Sequence, residues 1–386
     1  MSKNLRVLLV TWYRNYNYGT ALQAYALKSI IENPSITGFI SKAEVRNCKC
    51  ELLPHVPCPQ RKKGKWKKLF IPKTYFSKLS GFLDKKIYNQ NRALFLKREK
   101  AFNDFIAQNF VFAADHDIQD DAELRQIAQS YDVVLAGSDQ IWNPVSLDPM
   151  YLLQSVPPEK KMSYGSSLSV KKLNPEDEST YRQALSKFKA ISIRDRKCRV
   201  QLETIVGKPI ATVVDPVILL GRNALVWSAQ DIISEPYIFC YFLGSKKEHR
   251  IFSISEAKKR NLQIHAVINV GSNYSADEPL ESVADWDVDP WKFVGYIKNA
   301  SLVITDSFHA TVIATLCHTQ FIILEKDSQR PEQNNRILEF LEATGLLDRW
   351  EQKDINNSIS EEQWLQSDRA LIEMRKKSFD WLISNL

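Results

Sequence analysis

SLVITDSFHATVIATLC (301–317) changes character half-way along. Leu302 to Thr305 form a short apolar run, the mark of a strand buried on both faces. From Phe308 to Cys317 the apolar residues continue for a length that suits a helix, with Asp306 or Ser307 placed to cap it. A strand feeding directly into a helix is one half of a parallel β–α unit. Asp306, Ser307 and His309 crowd a junction where a single cap would do. His309 falls in the first helical turn, beside free N–H groups and the positive end of the helix dipole, so an anion-responsive histidine is expected there. His318, at the far end of the helix, reads as structural.

The same alternation runs along the chain. LRVLLVT (5–11) reads as a strand and GTALQAYALKSIIE (19–32) as the helix after it. A helix is expected around 90–109. YDVVLAG (131–137), KMSYGSS (161–167), AISIRD (190–195) and TVVDP (212–216) each read as a strand ending in a polar turn. A second series holds YIFCYFLG (237–244), a helix near 246–260, QIHAVIN (263–269), PWKFVGYIKNA (290–300), SLVIT (301–305) and QFIIL (320–324). Alternation of this kind implies an α/β fold with parallel sheets covered on both faces. Two series in 386 residues imply two domains facing a cleft. The expected boundaries are 1–218, with a basic insertion at about 58–89, and 219–360, with a helix at 361–386 packing back on the first domain.

Composition narrows the class. Hydrophobic content of 44% and charged content of 25% are those of a soluble globular protein. MSKNLRVLLVTW runs straight into a strand-like segment, without the pattern of a secretory leader. No apolar run reaches the roughly 18–20 residues that span a bilayer. A cytoplasmic protein is the expectation. The net charge of +7 is concentrated in RKKGKWKK (61–68), six cations in eight residues, with Phe70, Tyr75 and Phe76 behind it. Such a segment suits an anionic surface or an ordinary solvated loop. DHDIQDDAE (115–123) argues against a nucleic-acid coat. The six cysteines are expected to be reduced, with Cys198, Cys240 and Cys317 as small buried fillers. Cys48, Cys50, His55 and Cys58 lie within eleven residues, but their spacing is not that of common zinc sites, and no metal is assigned.

In open parallel sheets, ligands bind beyond the carboxyl ends of strands. After the first strand, Asn17, Tyr18 and Gly19 lead into a helix, with Trp12, Tyr13 and Tyr16 nearby. Amide and aromatic groups of this kind suit a sugar. After YDVVLAG come Ser138, Asp139, Gln140 and Trp142. Asp139 could accept a proton from a substrate hydroxyl or could simply cap a turn. Arg194 ends a buried strand and needs either an internal carboxylate or an anionic ligand, the latter favoured. Asp215, in VVDPV, reads as a structural turn. Downstream, Asn335 and Arg336 open a helix, and Arg336 could complete a cationic clamp. Arg330 lies just upstream.

NYGTALQAYAL, GSDQIWNP, SYGSS, ISIRD, VVDP, ITDSFHATVIATL and NNRILEFLEATGL, taken in order, resemble the polysaccharide pyruvyl transferase family. The resemblance implies two Rossmann-like domains, similar to those of B-type glycosyltransferases. It implies transfer of the enolpyruvyl carbons of phosphoenolpyruvate onto a sugar of a cell-surface glycan, as a cyclic pyruvate ketal. His309 maps to the donor phosphate and Arg194 to another donor contact. Where several relatives carry Arg-Leu-His, this chain has Ser307-Phe308-His309, so Arg336 or a lysine must replace the missing cation. His309 and Asp139 are the expected acid and base. Ser307, Arg194, Asn335 and Arg336 are the expected donor contacts, and Asn17, Tyr18, Gly19, Ser138, Gln140 and Trp142 the expected acceptor contacts. No cofactor beyond the donor substrate and no nucleic acid are implied. The acceptor is expected to be a glycan or lipid-linked oligosaccharide, with residues 61–76 touching an anionic membrane at its inner face. The competing expectations are a sugar-nucleotide-dependent glycosyltransferase of similar shape and a basic or zinc-containing nucleic-acid-binding module.

Overall fold

The computed structural model describes residues 4–41, 47–57, 92–229, 235–269, 274–326, 332–351 and 358–386. The basic stretch 61–68, the aromatic residues behind it and Cys58 and Arg330 lie outside them.

Two parallel sheets organise the chain. In the first, β1 (Leu5–Val10), β2 (Cys48–Leu52), β3 (Val133–Ala136) and β4 (Lys161–Ser163) lie in the order β2-β1-β3-β4. Leu5 stands opposite Cys48 and Val7 opposite Val133. The pair β5 (Ser192–Ile193) and β6 (Ala211–Thr212) continues this sheet through single bridges from Met162 to Ala190 and from Ser166 to Ile193. The second sheet has the order β10-β9-β7-β8, from β7 (Tyr237–Phe242), β8 (Gln263–Ile268), β9 (Leu302–Thr305) and β10 (Phe321–Ile323). Every pairing is parallel. The α/β architecture read from the sequence is therefore the observed one.

Side chains alternate across each strand, and the core follows that period. Val7 and Leu9 point into a large cluster that also takes Phe239, Tyr241 and Val303 of the second sheet. Leu8 and Val10 point the other way, onto Trp142, Leu185 and Phe188. The shared cluster is where the halves meet. Helices α1 (Tyr18–Glu32), α2 (Arg92–Asn109), α3 (Pro216–Leu220), α4 (Lys247–Arg260), α5 (Pro290–Asn299), α6 (Phe308–Cys317), α7 (Glu332–Thr344) and α8 (Glu361–Asn385) cover the sheets. At the seam the Tyr18 ring stacks on Phe293, with centroids 4.1 Å apart. Arg98 of α2, also buried, lies over Tyr18 and donates to the carbonyls of Ile268, Asp285 and Trp286. The last helix returns to the first half: Val214 N donates to Ser378 Oγ, and Arg375 donates to the carbonyls of Thr37, Leu219 and Leu220. Among the described residues no helix is long and apolar enough to cross a membrane.

CKCEL, read from the sequence only as part of a cysteine cluster, is the edge strand β2. Cys50 is buried against the core. His55 is committed elsewhere, its Nδ1 at 2.6 Å from Ile118 O and its Nε2 at 2.8 Å from Asp148 Oδ2. With both ring nitrogens engaged, His55 has none to offer a metal. Among the described residues no group of three or more potential ligands could hold an ion.

Candidate functional site

The three polar groups after β9 have separate tasks. Ser307 is the N-cap of α6, its Oγ accepting from Ala310 N. Asp306 turns away and accepts from Leu243 N at 2.6 Å and Gly244 N at 2.7 Å, fixing the loop that leaves β7. Burial pushes its carboxyl up, and the two N–H groups oppose the rise. His309, one residue into the helix, points across the seam between the halves. Its Nε2 lies 3.3 Å from Asp215 Oδ2. Its Nδ1 edge lies against the backbone at Gly19, so closely that a Cβ there would sit 2.0 Å from Nδ1. Only glycine fits at the start of α1 while His309 keeps this position.

Asp215 is the hub. It caps α3 by accepting from Val217 N through Oδ1. Oδ2 accepts from Arg194 Nη1 as well as facing His309. Burial alone would raise this carboxyl. The Arg194 guanidinium and then His309 overcome burial and hold it well below the usual carboxylate range. Arg194, its side chain only 6% exposed, also reaches Asp139 Oδ1 at 3.5 Å. Asp139 is held in a left-handed backbone conformation (φ 76°). Its Oδ1 accepts from Gln140 N and its Oδ2 from Thr20 Oγ1 at 2.7 Å, so both carboxylate oxygens are engaged. The chain Thr20–Asp139–Arg194–Asp215–His309 thus links the strand ends of the first half to α6 of the second.

Beside this chain is a cavity of about 510 Å³, bounded by Arg194, Asp215, Phe308, Asn335, Arg336 and Phe340, among others. Phe308 lies between two cations: its ring centre is 5.9 Å from the Arg194 guanidinium and 5.4 Å from that of Arg336. The two arginines differ in one respect. Arg194 is matched by two carboxylates, whereas Arg336 Nε and Nη1 are buried without a hydrogen-bond partner among the described residues. Burial, with Arg194 close by, pushes the Arg336 guanidinium below its usual value. A buried cation left in this condition is costly unless an anion completes it.

The structure gathers Arg194, Asn335 and Arg336 of the expected donor contacts at this cavity, and Ser307 serves as the helix cap behind it. His309 stands behind Asp215 and does not line the cavity wall. The expected acceptor contacts divide. Gly19 touches His309, Asn17 caps α1 by accepting from Thr20 N, and half-buried Gln140 meets Asn143. Tyr18, Ser138 and Trp142 are corrected to core roles, since none of the three has surface to offer a sugar. Tyr18 donates to Val288 O, Ser138 Oγ to Gly165 O and Trp142 Nε1 to Tyr151 O. The expected ligand preference of Arg194 also changes: it has internal carboxylate partners. Sequence reasoning missed Asp215 as a site residue, Thr20 and Phe308. For Asp215 the signal was present, an acid directly after a strand.

The chain matches the polysaccharide pyruvyl transferase family over residues 17–328. It belongs to that family. The matched span carries every member of the Thr20–Asp139–Arg194–Asp215–His309 chain, while Arg336 of this pyruvyl transferase family member lies just beyond it. No curated protein sequence matches the chain. Among solved structures it is similar to a putative UDP-N-acetylglucosamine 2-epimerase from Listeria monocytogenes, with 12% identity, TM-score 0.46 and coverage of 98% of this chain and 90% of that one. It is also similar to UDP-N-acetylglucosamine 2-epimerase from Rickettsia bellii, with 11% identity, TM-score 0.47 and coverage of 99% and 97%.

Proposed function

We propose that this member of the family moves the enolpyruvyl group of phosphoenolpyruvate onto a sugar residue of a bacterial cell-surface polysaccharide or its lipid-linked precursor, releasing phosphate. The observation that carries the reading is Arg336. Its Nε and Nη1 have no partner among the described residues, and it lines, with Arg194 and Phe308, a cavity of a size that suits a small substrate. Phosphoenolpyruvate carries a phosphate and a carboxylate, and a guanidinium with N–H groups left to donate is the side chain best shaped to receive such an oxyanion.

In the proposed reaction an acid protonates the methylene carbon, and C2 becomes oxocarbenium-like. One acceptor hydroxyl adds to C2 and loses its proton. The C2–O bond to phosphate then breaks, and a second hydroxyl closes the ketal and loses its proton. One of the two released protons restores the acid and the other leaves with phosphate. His309 supplies the acid or phosphate-stabilising group, with Asp215 beside it. For a ring nitrogen to face the donor, His309 must shift relative to Gly19 or Asp215 as the cavity fills. Asp139 acts first as the holder of Arg194 and α1, and serves as base only on releasing one of these partners.

Mass analysis of the surface glycan from a strain lacking this protein tests the reading. The expected result is the loss of a pyruvate ketal, and a glycan identical to that of the parent strain would contradict it.

A further inference from the structure

A second cationic cavity lies at the opposite end of the first sheet. It has a volume of about 450 Å³ and is bounded chiefly by Gln154, Lys161, Arg182, Gln183, Ser186 and Lys187. Lys161 opens β4, so it sits at the amino end of the strand, whereas Arg194 and Asp139 follow the carboxyl ends of β5 and β3. The two cavities share no residue.

Lys161 is the unusual group. It is 1% exposed, and among the described residues its Nζ has a single long contact, 3.4 Å to Gln154 O. Lysine is rarely buried to this degree without a carboxylate partner. Among the described residues no acid is ion-paired to Lys161, Arg182 or Lys187, and the cavity wall carries no acidic side chain. Arg182 is held in place by donating from Nε to Ile205 O at 3.1 Å. Burial, and then the nearby Lys187, pushes the Lys161 ammonium below its ordinary value. Three cationic residues thus border one cavity with no acidic side chain in its wall, Lys161 buried and Arg182 and Lys187 exposed. A tetrahedral oxyanion supplies what is missing, with several acceptor oxygens and more than one negative charge.

We propose that this cavity is a second anion site, taking inorganic phosphate or the phosphate end of a small phosphomonoester. It is independent of the donor reading. The test is calorimetric titration of the full chain with inorganic phosphate in an Arg336→Ala background, which removes the unpartnered cation of the first cavity. That protein is expected to bind one phosphate per chain. Adding Lys161→Met, of similar volume and without charge, is expected to weaken binding at least ten-fold. Adding instead Lys187→Ala, at an exposed position that leaves the core intact, is expected to weaken it several-fold. Glycerol phosphate in a parallel titration separates the two sources. Tighter binding than inorganic phosphate assigns an organic monoester, and equal binding assigns phosphate itself. Absence of phosphate binding in the Arg336→Ala protein overturns the proposal, as does an affinity that neither lysine substitution changes. Neither of those results bears on phosphoenolpyruvate binding in the first cavity.

Discussion

Asp215 Oδ2 stands 3.3 Å from His309 Nε2 and accepts a hydrogen bond from Arg194 Nη1, so one buried carboxylate lies against both the imidazole and the guanidinium of the candidate site. An Asp-Pro turn at the exit of β6 is therefore also a point at which the two halves meet. Asp215 has no surface exposure on its side chain, and replacing it strands two partners at once.

Asp215→Asn is expected to lower turnover by at least about 100-fold and stability by about 3–5 kcal/mol near neutral pH, because it leaves Arg194 buried with a reduced counter-charge. The acid limb of the stability profile should change as well. The folded-state carboxyl titrates below the ordinary value of about 3.9, so its stabilisation is fully present above that pH and is lost as pH falls towards the lower folded value. Urea unfolding followed from pH 7 downwards should show a steep loss of stability in the parent below about pH 4. The loss in Asp215→Asn should be shallower.

Gly19→Ala tests the contact between the halves from the other side. The added methyl would sit 2.0 Å from His309 Nδ1, so His309 has to move. The expected cost is about 1–3 kcal/mol of stability, typical of an overpacked contact. Activity should fall far more than this stability loss explains. A melting curve and a rate measured on the same preparation separate the two effects.

Arg336→Met should act in opposite directions on stability and function. Removing a buried guanidinium with two unpartnered nitrogens is expected to raise stability by about 1–3 kcal/mol. The same change should raise KM for phosphoenolpyruvate at least ten-fold. A melting temperature that falls would show that Arg336 is satisfied in the free protein and not waiting for an anion.

Trp142→Phe separates core from acceptor surface. Trp142 is fully buried, donates to Tyr151 O and packs against Phe188, and Tyr181 donates to its carbonyl. Loss of the indole N–H and part of its volume is expected to cost about 1–3 kcal/mol. KM for the acceptor should be unchanged below the melting transition.

The strands and helices were legible because each is a buried parallel-sheet unit, in which apolar runs and polar strand ends are local properties. SLVIT and ITDSFH announce β9, its turn and α6 without help from the rest of the chain. The edge strand β2 was hidden by its composition: Cys48, Lys49 and Glu51 do not read as a strand until β1 is beside them. At the site, Arg194, His309 and Arg336 stood out by type and position. What could not be read was the pairing, since Asp215 lies 94 residues from His309 in the chain and is joined to it only by the packing of α3 on α6. Tyr18 and Trp142 misled for a related reason. An aromatic after a strand can face a ligand or the core, and only the neighbouring half decides which.

The central claim is tested most directly by incubating the purified full-length protein with phosphoenolpyruvate and the surface glycan or its lipid-linked precursor, without any nucleotide sugar. Equal amounts of released phosphate and of glycan bearing a pyruvate ketal are the predicted result. Glycan left unmodified with no phosphate released, or modification that requires a nucleotide sugar, would contradict it.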